Sequence, residues 1–141
     1  MNYHFKVHKE KDGFWAESIE LEGCRAQADN LAELEAACEE VLNLYLEEPA
    51  DSNMDFPLPN ESLVANKKTI AAKVDPEIAL AVLLRHYRKD RKLTQKQVSE
   101  MLGMKNIYSY QRLEKRSNPT LKIMNNIHTI FPDMKIEYIF K

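Results

Sequence analysis

The sequence predicts an α+β protein: a domain of three strands, a helix and a fourth strand, followed by an all-α domain that ends in a strand. Three patterns predict this class. Polar and apolar residues alternate with period two at 3–8 and at 134–140, as they do in strands with one buried face. Apolar residues recur at helical spacing over 31–45. Two short helical patterns joined by a glycine occupy 93–114, which is the arrangement of a helix-turn-helix.

The first three strands are joined by a tight turn and a loop. Residues 3–8 and 14–19 flank the pair Asp12-Gly13, where glycine can take the positive φ that a hairpin turn requires. Residues 24–28 alternate small and polar side chains and form a short third strand. Its small side chains indicate that a helix lies close above it.

A helix follows, and a proline-containing stretch separates it from the fourth strand. Asn30 caps this helix with Glu33 as its capping-box partner, and Pro49 ends it. Residues 48–66 show no period, so we expect an irregular loop. Residues 69–74 then return to the sheet.

The second domain starts with a helix and contains the two-helix pattern. Asp75 is a cap, and Pro76 suits the first helical position. Thr94 caps the first helix of the pattern, and Gly103 can take the left-handed conformation that ends it. Thr120 caps the last helix, which precedes the C-terminal alternation.

Charge is distributed unequally between the two halves. Residues 1–75 hold 7 Lys and Arg against 16 Asp and Glu, a net charge of −9, whereas 76–141 hold 13 against 6, a net charge of +7. A basic half can bind a polyanion, and an acidic half attracts a basic protein. The alternative is that the acidic surface only keeps the protein soluble. We therefore expect an acidic, protein-binding domain at 1–74 and a DNA-binding and dimerisation domain at 75–141.

The composition argues against several classes of protein. No apolar run reaches about 18 residues and no signal peptide opens the chain, so we expect a soluble, cytoplasmic protein. Cys24 and Cys38 form no CxxC pair, so we expect buried free thiols, no metal site and no cofactor. The histidines are scattered, and no GxSxG or phosphate-binding glycine loop occurs, so we expect no enzymatic activity.

The outer side of the two-helix pattern carries hydrogen-bond donors and cations, which suit phosphates and base edges. Gln95 and Lys96 lie at a helix N-terminus, so we expect them to contact phosphates. Ser109, Gln111 and Arg112 are the candidates for base reading, because Arg pairs with guanine and Gln with adenine. The predicted DNA-binding residues are Gln95, Lys96, Lys105, Asn106, Tyr108, Ser109, Gln111, Arg112, Lys115 and Arg116. The alternative is an ordinary helical hairpin with a solvated polar face.

The stretch LTQKQVSEMLGM followed by QRLEKRSNPTL resembles the helix-turn-helix of phage-repressor-type regulators. The matching positions are Thr94–Gln95, Leu102–Gly103, Glu114 and 119–121. One extra residue lies between Gly103 and Glu114 and one fewer before the proline, so the resemblance leaves open where the recognition helix starts.

Both halves together resemble the HicB antitoxin family. The match rests on the DG hairpin, on the Gly23-Cys24 strand and on the acidic helix around AELEAACEEVLNLYL, followed by the repressor-type second half. The resemblance implies a partly RNase-H-like first domain, a small basic RNA-cleaving partner toxin (HicA) and operator binding at the toxin–antitoxin promoter. The sequence thus predicts an antitoxin that blocks the toxin sterically and represses its own operon. The alternative is a stand-alone regulator whose first domain senses a ligand or only dimerises.

The first hairpin supplies the candidate toxin contacts. Trp15, next to Phe14, is the candidate anchor, because large aromatic residues dominate protein interfaces. The alternative is that Trp15 belongs to the core of the sheet. The predicted toxin-binding residues are Phe14, Trp15, Glu17, Glu33 and Glu40.

The C-terminal alternation predicts a strand from Lys135 to Lys141 with apolar side chains on both faces. A lone strand cannot satisfy its own hydrogen bonds. We therefore expect it to pair with its twin in a second chain and form a homodimer. The alternative is that it lies on the chain's own first domain.

Overall fold

The computed structural model describes residues 1–140 and confirms the predicted mixed α+β class, with a four-stranded antiparallel sheet and five α-helices in this range. The elements are β1 (Asn2–Glu10), β2 (Gly13–Ser18), β3 (Arg25–Ala28), α1 (Leu31–Leu46), β4 (Thr69–Lys73), α2 (Pro76–Asp90), α3 (Gln95–Met101), α4 (Ile107–Lys115), α5 (Leu121–Ile130) and a C-terminal 3₁₀ helix (Ile136–Phe140). They form two units. The first contains Met1–Leu46 and Pro57–Asp75, and the second contains Glu47–Phe56 and Pro76–Phe140.

In the first unit the strand order is β3-β2-β1-β4, with every neighbouring pair antiparallel. Gly13 opens β2 at φ +152°, and a Cβ there would lie 2.7 Å from the Ala28 carbonyl oxygen, so only glycine fits. Helix α1 covers one face of the sheet, where Phe5 and Ala16 alternate with residues of the opposite face. The core between the sheet and α1 is apolar and includes Phe5, Ala16, Leu34, Cys38, Leu42 and Ala72.

In the second unit, α4 packs against both α2 and α3. Thr94 caps α3 as predicted: its hydroxyl accepts from Gln97 N at 3.1 Å, and Gln97 Oε1 accepts from Thr94 N at 2.8 Å. Gly103 follows α3 at φ +68°, a conformation that favours glycine. Asn106 caps α4, and Thr120 caps α5.

The prediction of a C-terminal strand is wrong for the residues of this segment that the structure describes. Residues Ile136–Phe140 form a 3₁₀ helix, in which Tyr138 N donates to the Lys135 carbonyl at 3.1 Å. This turn packs against α2 and buries Ile139 there, whereas Phe140 is 72% exposed. Lys141, the last residue of the predicted strand, lies outside the described residues. Homodimerisation through strand pairing therefore has no support within residues 1–140.

The segment Glu47–Phe56 packs with the second unit, although the expected first domain runs to residue 74. This division changes the charges of the two modules. The described residues of the first unit hold 7 Lys and Arg against 12 Asp and Glu, a net charge of −5. Those of the second hold 12 against 10, a net charge of +2. Four carboxylates of the segment thus offset much of the charge asymmetry between the two halves.

Among the described residues, no helix combines the length and apolar character needed to cross a bilayer.

Candidate functional sites

Helix α4 presents one polar side to solvent and packs the other into the second unit. Tyr108 is 68% exposed, and Arg112 and Lys115 are also exposed. Tyr110 and Leu113 are buried on the opposite side. The helix therefore exposes one aromatic ring and two cations on its outer side, while its inner side is buried. The helical spacing of its apolar residues predicts this division.

A buried polar network lies directly beneath this surface, centred on the Glu114 carboxylate, which is fully buried. Glu114 accepts from Arg88 at 2.5 Å (Nε) and 3.1 Å (Nη2), and from the Tyr110 hydroxyl at 2.5 Å. Arg85 donates to the Glu114 backbone carbonyl, and its Nε lies 3.8 Å from the carboxylate. The Glu114 carboxylate thus joins α4 to Arg88 of α2 through charge-assisted hydrogen bonds, and the Glu114 backbone carbonyl joins it to Arg85.

The ionisation of this network follows from its burial. Burial lowers the pKa of Arg85, and the charge of Glu114 opposes that shift. Burial also raises the pKa of Tyr110 far above its ordinary value, and the nearby Glu114 charge adds to the rise. Tyr110 is therefore a neutral hydrogen-bond donor at every ordinary pH.

Gln95 extends the network to the outer side of α4. Its Nε2 donates to Glu114 Oε2 and to the Ala50 carbonyl, both at 2.9 Å. Its Oε1 accepts from Gln111 Nε2 at 3.0 Å. Because both partners of Nε2 are acceptors only, they fix which end of the Gln95 amide points toward Gln111.

This geometry corrects the expectation that the Gln95 side chain contacts phosphate. The residue is only 8% exposed, and its amide is fully used inside the second unit. The physical reason is that a carboxylate buried at position 114 needs donors, and Gln95 is close enough to provide one. The 19-residue separation hides this partnership from the sequence pattern.

Two further predicted residues are engaged within the chain. Asn106 Oδ1 accepts from Ser109 N at 3.0 Å, so Asn106 caps α4. Arg116 pairs with Glu77 at 2.7 Å and Glu47 at 3.5 Å. Arg116 is therefore held by carboxylates and is a weaker candidate for a phosphate contact than the sequence indicates.

The remaining predicted cations form an exposed set. Lys96, Lys105, Arg112 and Lys115 are exposed, and none of them makes an ion pair with any residue the structure describes. These four side chains carry most of the positive potential that the two-helix surface offers to an anion.

A cleft of about 410 Å³ adjoins the start of α3. Its rim includes Lys89, Lys92 and Lys96. Neither Lys89 nor Lys92 is among the DNA-binding residues that the sequence predicts. The run of cations just before the Thr94 cap is the signal that could have identified them.

The predicted toxin-binding residues fall on two different surfaces of the first unit. Trp15 lies on the sheet face opposite α1, half-buried, stacked on His8 with ring centroids 4.1 Å apart. Arg25 lies over the same ring at 5.8 Å, and Glu17 contacts His8 at 3.3 Å. Trp15 therefore lies outside the core between the sheet and α1. This placement argues against the alternative that Trp15 is a core residue of the sheet.

Phe14 points to the other sheet face, the one that α1 covers. It lines a cleft of about 520 Å³ together with Glu33 and the carboxylates of Glu10, Asp12 and Asp29. Glu40 lies two helical turns beyond Glu33 on the exposed side of α1. The hairpin thus has an aromatic face and an acidic cleft that cannot form one continuous surface.

The two cysteines are free and buried, as expected. Burial raises the pKa of the Cys24 thiol from 9.0 to about 11 and that of Cys38 to about 12. Both are therefore neutral at physiological pH and are poor nucleophiles. Within residues 1–140, no three His, Cys, Asp or Glu side chains gather as a metal site requires.

Comparison with known protein families found no family model that matches the chain, and comparison with curated proteins found no significant match.

Proposed function

We propose that the chain is an antitoxin-type repressor. The second unit binds operator DNA through α3 and α4, and the first unit binds and sterically blocks a small basic RNA-cleaving toxin of the HicA kind. The observation that carries the proposal is the outer side of α4, an exposed polar and cationic surface held in place by the buried Glu114 network.

The DNA-binding part follows from what this surface offers. Arg112 is exposed and unpaired by any described carboxylate, so its planar guanidinium suits the O6 and N7 edge of guanine. Gln111 keeps its Oε1 and one N–H for a base while its other N–H is held by Gln95. Lys96 and the lysine-rimmed cleft suit backbone phosphates. The buried network keeps α4 rigid, which reduces the entropy lost on binding.

The protein-binding part follows from the first unit. Its net charge is −5, and the carboxylates of the cleft around Phe14 and those of the exposed side of α1 face solvent. A basic nuclease is attracted to such a surface, and Phe14 adds an aromatic side chain to the acidic lining of the cleft. The strand–strand–strand–helix–strand order of the first unit is the order that the sequence predicts for this domain.

A stand-alone regulator is the second candidate, and one observation favours it. Once Glu47–Phe56 is counted with the second unit, the first unit loses four acidic residues. Its attraction for a basic partner is correspondingly weaker than the sequence halves indicate. The discriminating observation is an adjacent reading frame for a small basic protein with one essential histidine, which co-purifies with this chain.

The proposal is tested in two parts. The full chain is incubated with duplexes from its own upstream region at several salt concentrations, and binding is expected to weaken as salt rises. The adjacent small protein is then tested for RNA cleavage with and without the chain. A salt-insensitive or absent DNA affinity would refute the first part, and undiminished cleavage would refute the second.

The homodimer stays part of the proposal, with two α4 helices about 34 Å apart on a palindrome.

A further inference from the structure

The segment Glu47–Phe56, here called the strap, has no regular secondary structure but is tied to the second unit at successive points. Asp55 contacts His86 at 3.1 Å, and the Asn53 carbonyl accepts from Lys89, one turn along α2. Phe56 is buried. The strap also bonds to itself, since Ser52 N donates to the Pro49 carbonyl at 3.0 Å and Ser52 Oγ to Glu48 at 2.7 Å.

One strap contact reaches the interior of the two-helix motif. The Ala50 carbonyl accepts one of the two N–H groups of Gln95 Nε2 at 2.9 Å, and Glu114 accepts the other. With both N–H groups used, the Gln95 carbonyl oxygen is the only end left for Gln111. The strap therefore completes the set of bonds that orients a side chain on the outer side of α4.

We infer that the strap is a positioning element for base reading. Its docked form holds Gln95, and Gln95 holds the Gln111 amide in one orientation. This inference rests on the proposed DNA function of α4. When the strap leaves, water reaches Gln95 and competes for Glu114, and the Gln111 amide can rotate. Sequence preference at the base pair that Gln111 reads is then lost, whereas the phosphate contact through Lys96 and the base contact through Arg112 are kept.

The strap does not contact bases itself, so undocking it from Gln95 should change DNA binding in one specific way. Binding to unselected duplex depends on charge and changes little, since no cation is removed. At the base pair that Gln111 reads, the ratio of affinities for the preferred and the other base pairs falls about three- to tenfold, which is the equivalent of one hydrogen bond. A purely structural role would instead weaken all DNA binding in parallel with stability.

The test replaces residues 50–53 by Gly-Ser-Gly-Ser in the full chain. The matched control replaces 61–64, an equally short and mostly exposed stretch of the first unit, in the same way. The first readout, made without DNA, is the NMR exchange rate of the Gln95 side-chain amide protons. We expect exchange to accelerate about tenfold in the strap variant and to stay unchanged in the control.

The second readout is the sequence preference selected from a pool of random duplexes. The strap variant is expected to lose preference at one base pair, the same one that Gln111→Ala loses, with affinity for unselected duplex within about twofold. Unchanged exchange and unchanged preference in the strap variant would overturn the inference. Equal loss of affinity for all duplexes would also overturn it, because that outcome indicates a structural role only.

Two further arms keep the result decisive. If the Gly-Ser variant does not fold, the double variant Ser52→Ala, Asp55→Asn removes one hydrogen bond within the strap and the carboxylate that contacts His86, and it is expected to show the same changes at smaller size. No acceleration of Gln95 exchange there overturns the inference. If the native chain binds no duplex, the proposed function fails, and the exchange measurement alone decides whether the strap holds Gln95.

Discussion

Both units have an apolar core, and the second adds a network of several buried charged side chains to it. The core of the first consists mainly of apolar side chains between a sheet and α1, such as Phe5, Leu34 and Leu42. The core of the second contains a charged network around Glu114 and Arg88. Apolar burial is non-directional, so it holds layers together without fixing orientation. Charge-assisted hydrogen bonds are directional, so they also fix how α4 faces solvent. The base reading that we propose for the outer side of α4 depends on the second kind of support.

The largest expected effect breaks the charged network. Glu114→Gln removes the carboxylate that contacts two buried arginines, so the free energy of unfolding should fall by about 3–5 kcal/mol. Urea unfolding of the full chain measures this loss. The matched control is Glu100→Gln, an exposed residue of α3, which should change stability by less than about 0.5 kcal/mol. Equal stabilities for the two variants would mean that the network does not hold the second unit.

The next effect concerns the apolar core of the first unit. Leu42→Ala leaves a cavity beneath α1 and should cost about 2–5 kcal/mol. Leu44→Ala lies on the same helix, but Leu44 is 66% exposed, so its cost should stay below about 0.5 kcal/mol. Urea unfolding again measures both. A loss for Leu44→Ala as large as that for Leu42→Ala would contradict the placement of α1 on the sheet.

A third prediction separates base reading from phosphate contact on the surface that the network supports. Arg112→Ala should lower discrimination at one base pair by about 1–3 kcal/mol. Lys96→Ala should weaken selected and unselected duplexes alike and lower the salt slope by about one. Affinities for both kinds of duplex at several salt concentrations measure the difference. If the two variants behave identically, the assignment of reading and phosphate roles is wrong.

A fourth prediction uses the buried thiols of the first unit. Their pKa values, about 11 and 12 in the folded chain, exceed the ordinary 9.0. Above pH 9 only the unfolded thiols ionise, so the stability they contribute at lower pH is lost as pH rises toward 11. The expected loss is on the order of 1 kcal/mol per thiol for each pH unit above 9.

Urea unfolding at pH 8 and pH 10 measures this loss. The native chain should lose more stability than the double variant Cys24→Ala, Cys38→Ala, and that comparison removes the contribution of other titrating groups. The same pH dependence in both proteins would show that the thiols are not protected by the fold.

The smallest expected effect concerns a helix cap in the second unit. Thr94→Ala removes the hydroxyl that accepts from Gln97 N, and should cost about 1 kcal/mol. Thr129→Ala removes a hydroxyl bonded within exposed α5 and should cost less. Thermal unfolding of both variants distinguishes a cap from an ordinary surface threonine. A larger loss for Thr129→Ala would reverse this ranking.

Much of the fold is readable from local patterns, because those patterns reflect short-range physics. The Asp12-Gly13 turn, the Thr94 cap and the Gly103 helix end all depend on residues within a few positions of each other. The C-terminal segment shows the limit of this approach. Its alternation fits a strand, but its apolar residues also fit a 3₁₀ turn that packs on α2, and only a partner element decides between the two.

The candidate sites divide in the same way. The exposed cations of α4 follow from helical spacing alone. The burial of Gln95 does not, since it depends on Glu114 and on the Ala50 carbonyl, far apart in sequence. Trp15 and Phe14 are neighbours in the chain, yet the pleat sends them to opposite faces, and only the position of α1 decides which face is open.

The sequence by itself determined the α+β class, the order of strands and helices as far as α5 and the outward side of α4, because periodicity and capping act over one or two turns. The tertiary structure alone decided which polar residues are internal and where the strap belongs. A carboxylate such as Glu114 is stable inside only when donors from α2 and α3 meet it, and the chain must fold before they do.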